Sequence, residues 1–91
     1  MTQSGNLNVG FIGAGRMATA LAQGLVSAGF VSADRVVATD VLPAALDAFA
    51  AQTSARVVES TSEVVIGSDV LFLAVKPQQM SQVLNGLSSL L

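Results

Sequence analysis

Cysteine, histidine, tryptophan and tyrosine are all absent from these 91 residues. Without cysteine there is no disulfide frame and no thiolate to bind a metal or act as a nucleophile. Without histidine the chain lacks the commonest metal ligand and the commonest general base. Its serines and threonines therefore have no imidazole to activate them, which excludes a nucleophile triad. Charge is sparse as well: four Lys or Arg and six Asp or Glu give a net charge of −2. So little positive charge argues against nucleic acid, which requires a basic footprint. The longest early uncharged window, residues 17–33, is interrupted by Gln23, Gly24, Ser27, Gly29 and Ser32, too polar and too short for a membrane span. Residues 1–10 carry no basic segment and no long apolar core, so no signal peptide is read. The expectation is a soluble, cytoplasmic protein with no nucleic-acid or membrane partner.

What is present is apolar. Hydrophobic residues make up 52% of the chain and charged residues 11%, with a mean hydropathy of +0.66. This is the composition of one small globular domain. A domain this short buries about 60–70% of its unfolded surface. Its few charges cannot cover the remainder, so part of the apolar surface is expected to meet a partner domain or subunit.

The densest signal is Val9-Gly10-Phe11-Ile12-Gly13-Ala14-Gly15-Arg16-Met17-Ala18. A short apolar run ends in Gly13-x-Gly15-x-x-Ala18, and a helical pattern begins at once. In a strand–turn–helix of this kind the first glycine permits the tight turn. The second leaves room for a pyrophosphate, and the small third residue lets helix and strand pack closely. The helix N-terminus then offers N–H groups and a partial positive charge to an anion. The same glycines also serve tight turns that bind nothing.

Periodicity organises the rest. Residues 1–6 read as a loose polar arm and residues 7–91 as one domain. Leu7 to Ile12 is the first strand. Met17, Ala20, Leu21, Gly24, Leu25 and Ala28 mark the apolar face of a first helix that stops at Gly29. Val36 to Thr39 is the second strand. Pro43 opens a second helix that shows Leu46, Phe49 and Ala50 on one face. Arg56 to Val58 is a short third strand, and Ser60-x-x-Glu63 is a capping box for a brief helix ending near Gly67. The apolar run Val70 to Val75 reads as a strand buried on both faces. Pro77 opens a last helix with Met80, Val83, Leu84, Leu87 and Leu91 along one side. Such alternation predicts an α/β, Rossmann-like, doubly wound parallel sheet of strand order 3-2-1-4, incomplete after the fourth strand and its helix. The fourth strand then has an unprotected edge.

Three side chains stand near the turn in this scheme. Asp40 closes the second strand, where a carboxylate accepts ribose hydroxyls and repels a 2′-phosphate, or else caps the helix at Pro43. Arg16 either meets a phosphate or is solvated on the first turn. Lys76, followed by Pro77, either reaches ribose or phosphate or marks the exit of a buried strand. Asp34, Asp47, Glu59, Glu63 and Asp69 read as caps and solvated faces, and no residue of the chain is assigned a catalytic role.

The segment Gly10 to Ala18, taken with Ser68-Asp69-Val70-Leu71-Phe72-Leu73-Ala74-Val75-Lys76-Pro77-Gln78, resembles the N-terminal half of pyrroline-5-carboxylate reductase from about Asn8 onward. The resemblance implies a cytosolic, homo-oligomeric enzyme that uses NADH or NADPH to reduce Δ1-pyrroline-5-carboxylate to L-proline. It implies that Ile12, Gly13, Ala14, Gly15, Arg16 and Met17 hold the pyrophosphate. Ala74, Val75, Lys76 and Pro77 then lie along the nicotinamide side. Asp40 departs from the small polar residue of members that accept NADPH, which favours NADH, and Thr61 replaces an asparagine that often helps hold the cofactor. The family's C-terminal helical domain, which forms the dimer and most of the substrate site, is not in these residues. The 91 residues alone are therefore expected not to turn over the imine. Two other readings stay open. One is a related NAD(P)-dependent reductase with a different substrate, such as the deazaflavin-dependent NADP reductases, which usually have a basic or Ser/Thr-rich loop in place of Asp40. The other is a non-catalytic nucleotide-binding or assembly module.

Overall fold

The computed structural model describes residues 7–90, so the arm at 1–6 and Leu91 lie outside the described residues. Four strands, β1 (Val9–Ile12), β2 (Val36–Thr39), β3 (Arg56–Val57) and β4 (Val70–Leu73), alternate with four α-helices. These are α1 (Arg16–Ser27), α2 (Pro43–Thr53), α3 (Thr61–Gly67) and α4 (Pro77–Leu90). All strand pairs are parallel and the order is β3-β2-β1-β4, as the alternation predicts. The chain leaves β1 in one direction across β2 and β3, then returns to place β4 on the other side of β1. The junction of β1 and β4 is therefore the switch point of the sheet.

Strand alternation splits the core in two. Phe11, Val36 and Ala38 face α1 and α2, where they meet Ala18, Ala22, Leu46 and Phe49. Ile12 and Val37 face the other way, against Val64 of α3 and Val83 of α4. Phe11 is fully buried. Its ring stacks on Phe72 of β4 at 5.1 Å and tilts against Phe49 at 5.7 Å. Burying such a ring contributes about 2–3 kcal/mol, and each aromatic pair about 0.5–1.5 kcal/mol more.

The helix ends follow local chemistry. Beyond α1, the Gly29 N–H donates to Val26 O at 3.1 Å and the Phe30 N–H to Leu25 O at 3.0 Å, with Gly29 at φ +80°. This is a Schellman stop. The α2 helix closes on Ser54, a non-glycine residue at φ +62°. Its neighbour Thr53 donates its hydroxyl to Phe49 O at 2.6 Å and accepts the Ala55 N–H at 3.1 Å. At the amino edge of the sheet, Asp69 accepts the Asn8 N–H at 2.8 Å, so it ties strands together rather than facing solvent alone. A hydrogen bond from the Ser32 hydroxyl holds the Asp34 carboxyl below its ordinary value.

Four expectations need correction. The buried face of α1 is Ala18, Thr19 and Ala22, not the stripe through Met17 and Leu21. The small residues let the helix sit close to the sheet, and Met17, 74% exposed, projects away from it. The capping box does not close: no side chain caps α3, and Ser60 Oγ pairs with Ser62 Oγ at 2.8 Å. The fourth strand ends at Leu73, and it is half-buried with Val70 exposed. An apolar run marks a strand suited to two covered faces, but β4 is an edge strand among those described. In α4, Leu87 is buried while Leu84 is exposed, so the predicted stripe is only partly covered.

Candidate functional site

The carboxyl ends of β2, β1 and β4 are drawn together by three backbone devices. The Gly13 N–H donates to Thr39 O and the Ala74 N–H to Ile12 O, both at 2.8 Å. Gly13 turns at φ +104°, and any Cβ there would collide with the Ala74 carbonyl. The glycine turn and the segment after β4 are thus in direct contact.

Above this junction opens a cleft of about 370 Å³, within the size range of small-molecule sites. Ile12, Gly13 and Gly15 line it from the β1–α1 turn, and Ala74, Val75 and Lys76 line it from the end of β4. Asp40 lines it from the end of β2, and Thr61 from the start of α3. The predicted site residues outside the lining are Ala14, Arg16, Met17 and Pro77. Ala14 is buried beneath the turn, and the other three are exposed. Sequence reasoning did not single out Thr39, Val41, Leu42 and Ala45 on the β2–α2 side, nor Glu59 after β3. It also passed over Gln79, Gln82 and Val83 of α4 as lining residues. Their common signal is position alone: each follows a parallel strand at its carboxyl end or lies on the helix beyond it.

Two features give the cleft its chemistry. Asp40 is held as a bridge. Its Oδ2 accepts the Ala14 N–H at 2.7 Å and its Oδ1 accepts the Leu42 N–H at 3.0 Å. The bond to Leu42 braces the entry to α2, while the bond to Ala14 ties the glycine turn to β2. Gly15 is the second feature. It is the N-cap of α1 at φ −78°, a conformation open to any residue, and an added Cβ would meet no atom within 4 Å. The fold itself therefore places no demand for glycine at this position. A missing side chain that the fold does not require, on a cleft wall at a helix N-terminus, fits a ligand that approaches the backbone. The phosphates of a dinucleotide are such a group. Among the described residues no three His, Cys, Asp or Glu gather to hold a metal, and no helix is long and apolar enough to cross a membrane.

Sheet order, switch-point cleft and glycine turn together define a Rossmann-type α/β domain. The chain belongs to the family described as NADP oxidoreductase, coenzyme F420-dependent, whose model matches residues 8–91. It is similar to the pyrroline-5-carboxylate reductase of Methanosarcina acetivorans, 43% identical over 84 residues that cover 92% of this chain and 31% of that protein. It is also similar to pyrroline-5-carboxylate reductase 2 of Homo sapiens, 40% identical over 82 residues, 87% of this chain and 25% of that one. A solved pyrroline-5-carboxylate reductase from Coxiella burnetii matches with a TM-score of 0.84 at 30% identity, over 93% of this chain and 31% of that one. The Plasmodium falciparum pyrroline carboxylate reductase with NADP bound matches at 0.79 and 26% identity, over 96% and 30%. The chain spans a third or less of the length of these relatives.

Proposed function

We propose that this chain is the cofactor-binding half of an NAD(P)H-dependent reductase that converts Δ1-pyrroline-5-carboxylate to L-proline. The observation that carries the proposal is Gly15: an open glycine, unneeded by the fold, at a helix N-terminus on the cleft that the Ala74–Lys76 segment also lines. The likeness to pyrroline-5-carboxylate reductases supports the choice of substrate.

The turn residues Ile12 to Met17 take the pyrophosphate, with the first N–H groups of α1 as donors. Asp40 accepts the adenosine ribose hydroxyls through lone pairs left over from its two backbone bonds, which favours NADH over NADPH. Thr61 and Lys76 offer a hydroxyl and an ammonium to the ribose and phosphates, and Ala74 to Pro77 flank the nicotinamide. When bound, a reduced nicotinamide would supply a hydride to the imine carbon, with the ring nitrogen taking up a proton from solvent. The contribution of this chain is orientation and exclusion of water. These roles concern the cofactor alone, and the carboxylate of the imino acid is assigned no residue of this chain.

The test is a chimera in which residues 8–91 replace the matching segment of the Methanosarcina acetivorans relative. Imine-dependent loss of reduced nicotinamide, with proline formed, supports the proposal. A chimera that folds and binds the cofactor but leaves the imine unreduced contradicts it. The family description favours a second reading, transfer between NADP and a deazaflavin. Reduction of coenzyme F420 by the chimera, without reduction of the imine, would support that reading instead.

A further inference from the structure

Three charged side chains line the cleft: Asp40, Glu59 and Lys76. Asp40 and Lys76 have roles in the proposal above, and Glu59 has none. Its place follows from strand register. In the parallel β2–β3 pair Ala38 lies abreast of Val57, and the Val58 N–H still donates to Ala38 O at 2.9 Å. Two positions beyond that pair stand Asp40, just after β2, and Glu59, in the bend after β3. Both residues line the same cleft, so two acidic side chains belong to one rim of it. Lys76 follows β4, which lies beyond β1 from both of them.

We infer that Glu59 is a specificity-determining residue that acts with Asp40 to repel a phosphorylated ribose, and so selects NADH over NADPH. The inference rests on the cofactor reading above. Asp40 is anchored by two backbone N–H groups, so it cannot swing away from a 2′-phosphate. Glu59 adds a second negative charge on the same rim. A 2′-phosphate carries a charge of about −1.5 to −2. Repulsion of about 1 kcal/mol between such charges in a solvated cleft disfavours it by about five- to tenfold. The repulsion is Coulombic and therefore weakens with salt. A purely structural role for Glu59 has no such signature.

The experiment is calorimetric titration of the chain, Glu59→Gln and Glu59→Lys with NADH and with NADPH. The readout is the ratio of the NADPH to the NADH dissociation constant. The ratio is expected to fall about five- to tenfold in Glu59→Gln and further in Glu59→Lys. As salt rises from about 20 mM to about 500 mM, the ratio should move toward one more steeply in the unaltered chain than in Glu59→Gln. A ratio that neither variant shifts, with NADH still bound, overturns the role of Glu59 and leaves the cofactor reading standing. Binding of neither cofactor by the unaltered chain overturns both.

Discussion

The carboxylate of Asp40 accepts the N–H of Ala14, 26 positions away, at 2.7 Å, and so locks the glycine turn to the end of the second strand. Ala14 is 2% exposed, which leaves its N–H little access to water if that carboxylate is removed. Asparagine has one acceptor oxygen and can serve only one of the two N–H groups that Asp40 binds. Asp40→Asn should therefore lower stability by about 1 kcal/mol and Asp40→Ala by about 2 kcal/mol. Urea unfolding reads this directly. Equal midpoints for both variants and the unaltered chain would show that the bridge contributes nothing.

Gly13 is demanded by the fold in two ways: a φ of +104° and the Ala74 carbonyl against its α-carbon. A side chain there must both adopt a strained backbone and part the ends of β1 and β4. We expect Gly13→Ala to cost about 3 kcal/mol or more, seen as a large fall in thermal midpoint. An unchanged midpoint would contradict the described turn.

Ser54 holds the left-handed position at the end of α2, where glycine carries no Cβ penalty. Ser54→Gly relieves that penalty but frees the unfolded chain. The net gain should be about 0.5–1 kcal/mol, measured as a rise in urea midpoint. A loss of stability would mean that the Ser54 side chain contributes more than its backbone costs.

The fold was largely legible because each β–α junction carries its own punctuation: Gly13 and Gly15, Pro43, Ser60, Pro77. Alternation implied parallel strands, the Rossmann-type glycine turn implied their order, and the two motifs that carried the family resemblance prove to touch, Gly13 against Ala74. What sequence reasoning missed depends on three-dimensional placement. The first helix has two apolar stripes, and periodicity selected the one through Met17 and Leu21. The sheet is covered instead by Ala18 and Ala22, whose small size sets the helix close. Val70 to Val75 has the composition of a central strand, yet it pairs only with β1 among the described strands. Glu59 read as a solvated charge because nothing local distinguishes it. Only the register of β3 beside β2 brings it to the same cleft as Asp40.

If the cleft at the switch point receives a dinucleotide, its phosphates approach the backbone at Gly15. The most direct measurement is calorimetric titration of the chain and of Gly15→Val with NADH, alongside urea unfolding of both. Since φ is −78° and no atom lies within 4 Å of an added Cβ, the variant should stay folded and lose only the N-cap preference for glycine, about 1 kcal/mol. Micromolar NADH binding to the unaltered chain and at least a tenfold loss in the variant are expected. Equal affinity in both, or no binding by the unaltered chain, would contradict a phosphate site at Gly15.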